Sequence, residues 1–158
     1  MISISIPEER KPILIGKNGE TKSQIEKRTH TKINVGEETE IYGDGVTELK
    51  AADIVKAIGR GFSPHYALRL LEEDVLLDVI TIKGTPNTIK RLMARVIGSK
   101  GKAKKNIETL AGVSLSIYGK TISIIGNYKN AGVARVAIEM LLSGRTHNYV
   151  WRRLEKKN

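Results

Sequence analysis

The sequence predicts an α+β fold made of two tandem copies of one unit. A short motif with two glycines three positions apart occurs at Gly16–Gly19 and again at Gly98–Gly101. Segments with strand-like alternation and segments with helical spacing surround this motif in the same order both times. Such self-similarity indicates an internal repeat. Each copy is expected to contain strand, helix, Gly-x-x-Gly, helix, strand, strand and helix.

The repeat extends well beyond the motif. At a shift of 82 residues, Ile25 aligns with Ile107 and Glu26 with Glu108. After the second strand the shift becomes 83. We expect this one-residue step to fall in a loop, because loops tolerate insertions.

The elements of the first copy follow from ordinary sequence signals. Isoleucines alternate with serines over residues 2–6 and predict a strand that stops at Pro7. A polar segment and a short apolar run, Ile13–Ile15, lead to the first motif. The remaining predicted elements are a helix over residues 20–28, strands over 33–35 and 41–42, and a helix over 46–58 that ends at Gly59.

A short helix separates the two copies. Ser63 and Pro64 are typical of a helix start and predict a helix over residues 64–71. We expect it to pack across the two halves, because a lone helix of this length is unstable. The second copy is predicted to contain a strand over residues 75–82, helices over 86–97 and 102–111 around the motif, strands over 113–117 and 122–125, a helix from 128 or 129 to 142, and an amphipathic tail over 146–157.

The net charge of +10 is unevenly distributed along the chain. Residues 1–73 carry 11 Lys and Arg against 12 Asp and Glu, a net charge of −1. Residues 74–158 carry 16 basic and 5 acidic side chains, a net charge of +11. A strongly basic half indicates a polyanionic partner, because binding releases condensed counterions.

Several classes of protein are disfavoured by composition. The chain has no cysteine, which excludes disulfides, thiol catalysis and cysteine-bound metal. No run approaches the roughly 18 apolar residues that span a bilayer, and the first residues lack the features of a secretory signal. We therefore expect a soluble cytoplasmic protein without membrane contact.

The Gly-x-x-Gly motif between two helices favours a phosphate site. Glycines permit a tight turn and remove the side chains that would block a close backbone approach. The following helix then begins with free amides and the positive end of its dipole. Apolar residues before the turn, together with the adjacent strand, are candidates for a floor beneath nucleic-acid bases.

This order of elements and this motif resemble the KH domain in its eukaryotic-type arrangement, which clamps about four nucleotides of single strand. The resemblance implies two tandem KH domains, each a three-stranded antiparallel sheet packed on three helices, plus a C-terminal helix. The expected boundaries are a first KH domain over 1–61, an interdomain helix and linker over 62–73, a second KH domain over 74–144 and a basic amphipathic C-terminal helix over 145–158.

Three segments make the chain resemble one particular family of KH proteins: residues 59–71, residues 95–102 and residues 143–147. They are similar to the partner-of-Nob-one (Dim/Krr-like) family, whose archaeal members are two-KH ribosome-assembly proteins. The resemblance implies binding of single-stranded RNA at the 3′ end of small-subunit rRNA and assistance in its maturation. It also implies contact with the Nob-one endonuclease and with the alpha subunit of archaeal initiation factor two.

The second motif is the stronger RNA-binding candidate, because positive charge clusters around it. The predicted RNA-binding residues are Arg91, Arg95, Val96, Ile97, Gly98, Ser99, Lys100, Gly101, Lys102, Lys104 and Lys105. Within this set, Val96 and Ile97, together with Leu115, are candidates for the groove floor or for the hydrophobic core, and the core is the favoured place for Leu115. The first motif lies in a half with no net positive charge and is predicted as a secondary RNA site, or alternatively as part of a protein-binding module. Its residues are Ile15, Gly16, Lys17, Asn18 and Gly19.

No catalytic residue, cofactor or metal site is predicted. The three histidines have no partner at metal-ligand spacing, and no nucleophile or acid pair is visible. Two alternatives to the rRNA hypothesis stay open at this stage. One is another RNA client, such as messenger RNA or an exosome substrate, and the other is a protein scaffold with incidental RNA binding.

Overall fold

The computed structural model describes residues 1–157, so Asn158 of the predicted tail lies outside the described residues. The chain forms two compact units, and the second begins at Asp74. In the described part of the chain, no helix is both long and apolar enough to cross a membrane.

The first unit is a three-stranded antiparallel sheet with helices. Its strands are β1 (Ile2–Ile4), β2 (Lys32–Val35) and β3 (Thr39–Tyr42), and its helices are α1 (Lys11–Ile15), α2 (Glu20–Thr29), α3 (Gly45–Gly59) and α4 (Pro64–Ala67). The strand order is β1-β3-β2, with Ile33 of β2 opposite Ile41 of β3. Both of these isoleucines are buried, as are Leu14, Ile25 and Ile58 from the helices.

Two segments of the first unit add detail to the sequence prediction. Residues 11–15, which include the short apolar run, form the helix that the repeat predicts before the first motif, with Pro12 in its first turn, a position that proline favours. Helix α4 ends at Ala67 and continues as a 3-10 turn, Leu68–Leu71. It packs on α3, and Phe62 and Leu70 are buried, so residues 62–73 belong to the first unit.

The second unit repeats the architecture and adds one helix. Its strands are β4 (Val75–Thr81), β5 (Ser114–Tyr118) and β6 (Thr121–Asn127), and its helices are α5 (Pro86–Ile97), α6 (Lys102–Ala111), α7 (Tyr128–Leu142) and α8 (His147–Lys157). The strand order β4-β6-β5 matches that of the first unit. The predicted α+β fold, with two three-stranded antiparallel sheets packed on helices and a C-terminal helix, is confirmed.

One apolar core holds the second unit together. Helices α5, α6 and α7 contribute Met93, Ile107 and Ile138, and the sheet contributes Ile122 and Ile124. The C-terminal helix α8 packs on α6 and α7 and adds Val150 and Leu154, which are completely or almost completely buried. Burying such side chains stabilises the unit by about 2 kcal/mol each. The tail is therefore part of the domain core.

Candidate nucleic-acid interface

The turn between α5 and α6 requires a glycine at its first position. Gly98 has φ 75°, a conformation that side chains rarely adopt. A Cβ atom added at Gly98 would lie 2.6 Å from the Cβ of Ala103. The turn brings the backbone back so closely on α6 that no larger residue fits there.

Lys100, at the tip of the turn, occupies the left-handed region with φ 55° and ψ 27°. Lysine is uncommon in this region, and the conformation costs roughly 1 kcal/mol. The side chain is exposed and forms no hydrogen bond or ion pair within the described residues. Unpaired charge on a strained backbone is a feature of binding loops.

Helix α6 begins with positive charge and no acid. Its N-cap, Gly101, has no side chain to cap the first amides, and no acidic residue stands in the first turn. Lys102, Lys104 and Lys105 have no acidic partner in the described part of the chain. Cations at a helix N-terminus oppose the helix dipole, so the unbound arrangement is unfavourable and an anion relieves it.

An apolar groove of about 610 Å³ runs beside α5. The helix side of the groove includes Met93 and Ile97, and the strand side includes Ile117 at the end of β5. Ile97 is 38% exposed and directly precedes the glycine turn. Lys90 and Lys120 also line the groove. The arrangement combines an apolar floor for bases with cations for phosphates, as single-strand binding requires.

The structure separates floor residues from core residues among the three candidates. Val96 is 0% exposed and Leu115 is 4% exposed, and both belong to the core cluster. Neither side chain can contact a base, although Ile97 can. Ile117, which sequence reasoning did not select, takes the place of Leu115, because the helices cover the middle of β5 more completely than its end.

Arg95 forms hydrogen bonds that hold the end of α7. Its Nε donates to the Leu141 carbonyl at 2.9 Å, and its Nη2 donates to the Arg145 carbonyl. His147 Nε2 in turn donates to the Arg95 carbonyl at 2.9 Å. A guanidinium that satisfies the last carbonyls of a helix stabilises that helix end. These hydrogen bonds give Arg95 a structural role, and its role as an RNA contact stays a prediction.

Arg91 lies one helical turn before Arg95 on the same side of α5. The residues of α5 that line the groove form another face, with Lys90, Met93 and Ile97 spaced by three and four positions. Lys90 is therefore better placed for the groove than Arg91, although Arg91 is exposed. The spacing of Lys90, Met93 and Ile97 could have identified Lys90 as a groove residue from the sequence. No sequence signal identifies Lys120, because it comes from a turn distant in the chain.

The first motif has the same backbone as the second. Gly16 has φ 77°, Asn18 has φ 55° and Gly19 has φ 75°. Ile15, 36% exposed, occupies the place that Ile97 has in the second unit. Lys17 and Asn18 are exposed. The structure thus brings all the predicted residues of the secondary site together.

The surroundings of the first motif are less positive than those of the second. Glu20 stands in the first turn of α2, where a carboxylate stabilises the helix. Lys22 is 3.4 Å from Glu26 and donates to the Ile33 carbonyl at 3.1 Å. The first turn therefore has fewer free cations for a phosphate than the second.

Nothing in the described residues resembles a metal centre. No three side chains among the histidines, aspartates and glutamates of residues 1–157 come together in a geometry that could hold an ion.

Two known domain families match the two units of the chain. Residues 1–59 match the KH domain, and residues 75–158 match the eukaryotic-type KH domain (type I), in the version specific to the second domain of PNO1 proteins. The chain is thus a two-KH-domain protein. Because the second match covers more than half of the chain, the chain belongs to the PNO1/Dim2 family, in its archaeal form.

Three relatives illustrate this membership. A KH domain-containing protein of Methanocaldococcus jannaschii is 40% identical over 98% of this chain and 72% of its own length. The aDim2p chain in a crystal structure of an a/eIF2alpha-aDim2p-rRNA complex from Pyrococcus horikoshii is 43% identical, with a TM-score of 0.91 over 99% of this chain and 92% of that chain. The pre-rRNA-processing protein PNO1 of Chaetomium thermophilum is 31% identical, and the match covers 65% of this chain and 42% of that protein.

Proposed function

We propose that this protein binds single-stranded RNA at the 3′ end region of small-subunit rRNA through its second KH domain and assists the maturation of that rRNA. The observation that carries this proposal is the second turn: a glycine turn with four unpaired lysines next to an apolar groove of about 610 Å³. The groove suits bases, and the turn with its helix start suits phosphates.

The choice of RNA client rests on the relatives. The Pyrococcus horikoshii relative is found in a complex with rRNA, and the Chaetomium thermophilum relative is named for pre-rRNA processing. The same complex contains a/eIF2alpha, which supports the alpha subunit of initiation factor two as a protein partner. We further propose that the protein acts in the cytoplasm, by binding and not by catalysis, and delivers the rRNA end to the Nob-one endonuclease.

The direct test places negative charge where phosphate is expected. Ser99→Asp with Lys100→Asp is expected to abolish binding to an rRNA 3′-end oligonucleotide, measured by fluorescence anisotropy. The matched control is Lys17→Asp with Asn18→Asp in the first turn, which changes the net charge equally and is expected to weaken binding far less. Retained affinity in the second-turn variant would contradict the proposed site, provided that circular dichroism shows it folded.

The RNA client is tested separately. Crosslinking in cells, followed by sequencing of the bound RNA, is expected to recover the 3′ end of small-subunit rRNA. Recovery of mainly messenger RNA would leave the binding mechanism intact but replace the client. Partner proteins that are captured equally well after nuclease treatment, together with weak and sequence-independent RNA binding, would favour a scaffold.

A further inference from the structure

Helix α8 has one face in the core and another in solvent. Val150 and Leu154 are buried, and the ring of Trp151 lies 5.9 Å from that of His147. The opposite face carries Arg152, Arg153 and Lys156, all exposed. Positions three and four apart on a helix are neighbours, so these cations form one row along the helix.

No acidic side chain neutralises the row within the described residues. Its three cations have no acidic partner in the described part of the chain, and the only acid of α8, Glu155, forms no ion pair with them. The Arg145 guanidinium lies 5.0 Å from the centre of the Tyr149 ring and extends the row past the start of α8. Arginine beside an exposed aromatic ring is a combination that single-stranded nucleic acids favour.

Helix α8, which carries the row, contacts the helices before and after the glycine turn. Before the turn, Arg95 lies three positions from Gly98 and is hydrogen-bonded to the Arg145 carbonyl, so the start of α8 is within one side chain's reach of the end of α5. After the turn, α6 packs directly on α8. His147 at the start of α8 contacts α5 and the body of α8 packs on α6, so α8 lies against both helices that flank the turn.

We propose that α8 is a second phosphate-binding surface, formed by Arg145, Arg152, Arg153 and Lys156, for the RNA that flanks the segment in the groove. The inference rests on the proposed RNA binding by the second KH domain and extends its footprint. Charge complementarity selects the occupant: a row of unpaired cations suits a phosphate backbone and reads no base sequence. Helix α8 thus adds affinity and salt dependence for longer RNAs.

The test compares two RNA lengths and two matched triple variants. One RNA has about four nucleotides, the length that a KH groove holds, and the other has about twelve, with the same core and extensions at both ends. The α8 variant is Arg152→Gln, Arg153→Gln and Lys156→Gln, which keeps helix propensity. The control is Lys27→Gln, Arg28→Gln and Lys32→Gln, which removes three exposed cations of the first unit.

The α8 variant is expected to bind the long RNA about tenfold more weakly and the short RNA as the native protein does. Its salt slope for the long RNA should fall by about 2, because each lost phosphate contact is worth about 0.7. The control should leave both affinities and the slope unchanged. Thermal unfolding checks that both variants are folded.

The outcomes separate this inference from the proposed function. Native protein that binds neither RNA overturns the proposed function. If the native protein binds the short RNA and the α8 variant binds the long RNA as the native protein does, the proposed function survives and the α8 surface is overturned. Equal losses in the α8 variant and the control also overturn the α8 surface, because the effect would then come from net charge alone.

Discussion

The turns at Gly16–Gly19 and Gly98–Gly101 have almost identical backbones and different electrostatic surroundings. Their first glycines have φ values of 77° and 75°, and their third residues both have φ 55°. Glu20 occupies the first helical position in one unit, and Lys102 occupies the equivalent position in the other. One helix start is neutralised by its own carboxylate, and the other is left positive. The backbone of the turn is the same in both copies, and the charges around it make the second copy the better suited to phosphate.

A second comparison concerns the ends of the last KH helices. In the first unit, Arg10 Nε donates to the Ile58 carbonyl and its Nη2 donates to the Phe62 carbonyl, both at 2.8 Å. In the second unit, Arg95 reaches the equivalent carbonyls of Leu141 and Arg145. The two arginines do not align in the repeat: Arg10 precedes α1, whereas Arg95 lies within α5. In both units a guanidinium donates to carbonyls at the end of the last KH helix, but the arginine that supplies it comes from a different segment in each unit.

The largest expected effect comes from a substitution that does not fit sterically in the second turn. Gly98→Ala should lower the free energy of unfolding of the second unit by about 3 kcal/mol, because it combines a left-handed backbone with a close contact to Ala103. Gly101→Ala has the same φ but nothing within 4 Å, and should cost about 1 kcal/mol. Urea denaturation followed by the fluorescence of Trp151, the only tryptophan, reports on this unit. Equal losses would show that backbone strain alone matters.

The next effect tests the two arginines. Arg95→Gln should lower the free energy of unfolding of the second unit by about 2 kcal/mol, because two hydrogen bonds from a charged group to backbone carbonyls are lost. Affinity for an RNA of about four nucleotides should stay unchanged. Arg10→Gln should destabilise the first unit similarly without shifting the Trp151 transition. Loss of short-RNA affinity in folded Arg95→Gln protein would show that Arg95 is an RNA contact.

A charge exchange between the helix starts tests the electrostatic difference directly. Lys102→Glu should weaken binding of short RNA about tenfold, because it places a carboxylate where phosphate is expected. Lys102→Gln should cause a smaller loss. Glu20→Lys should raise the affinity of the first turn, measured in the Ser99→Asp, Lys100→Asp background. If neither exchange alters affinity, the charges at the helix start do not rank the two turns.

The smallest expected effect comes from exchanging the residues at the tips of the two turns, Lys100 and Asn18. Lys100→Asn should stabilise the second unit by about 0.5 kcal/mol, because asparagine adopts the left-handed region more easily than lysine. Asn18→Lys should destabilise the first unit by a similar amount. Chemical denaturation measures both changes. Destabilisation by Lys100→Asn would show that the lysine is not strained in the turn.

The sequence by itself determined the fold and predicted where the site lies. The internal repeat, the alternation of the strands and the glycine pairs predicted two copies of one α+β unit, because these are local patterns that the backbone must obey. The resemblance of that unit to a KH domain implied the rest of the fold. The charge difference between the halves pointed to the second turn. The turn residues of the predicted site, from Gly98 to Lys102, are where the sequence placed them.

Only the tertiary structure decided which side chains around the turn are free to bind. Val96 and Ile97 are adjacent and both apolar, yet the first is buried and the second is exposed, because the helix face that meets the core depends on long-range packing. Arg95 looked like an RNA contact in the sequence, and folding also brought carbonyls 46 and 50 residues away within its reach. Whether a side chain is free to bind RNA depends on contacts with residues distant in sequence, and the local sequence pattern does not specify those contacts.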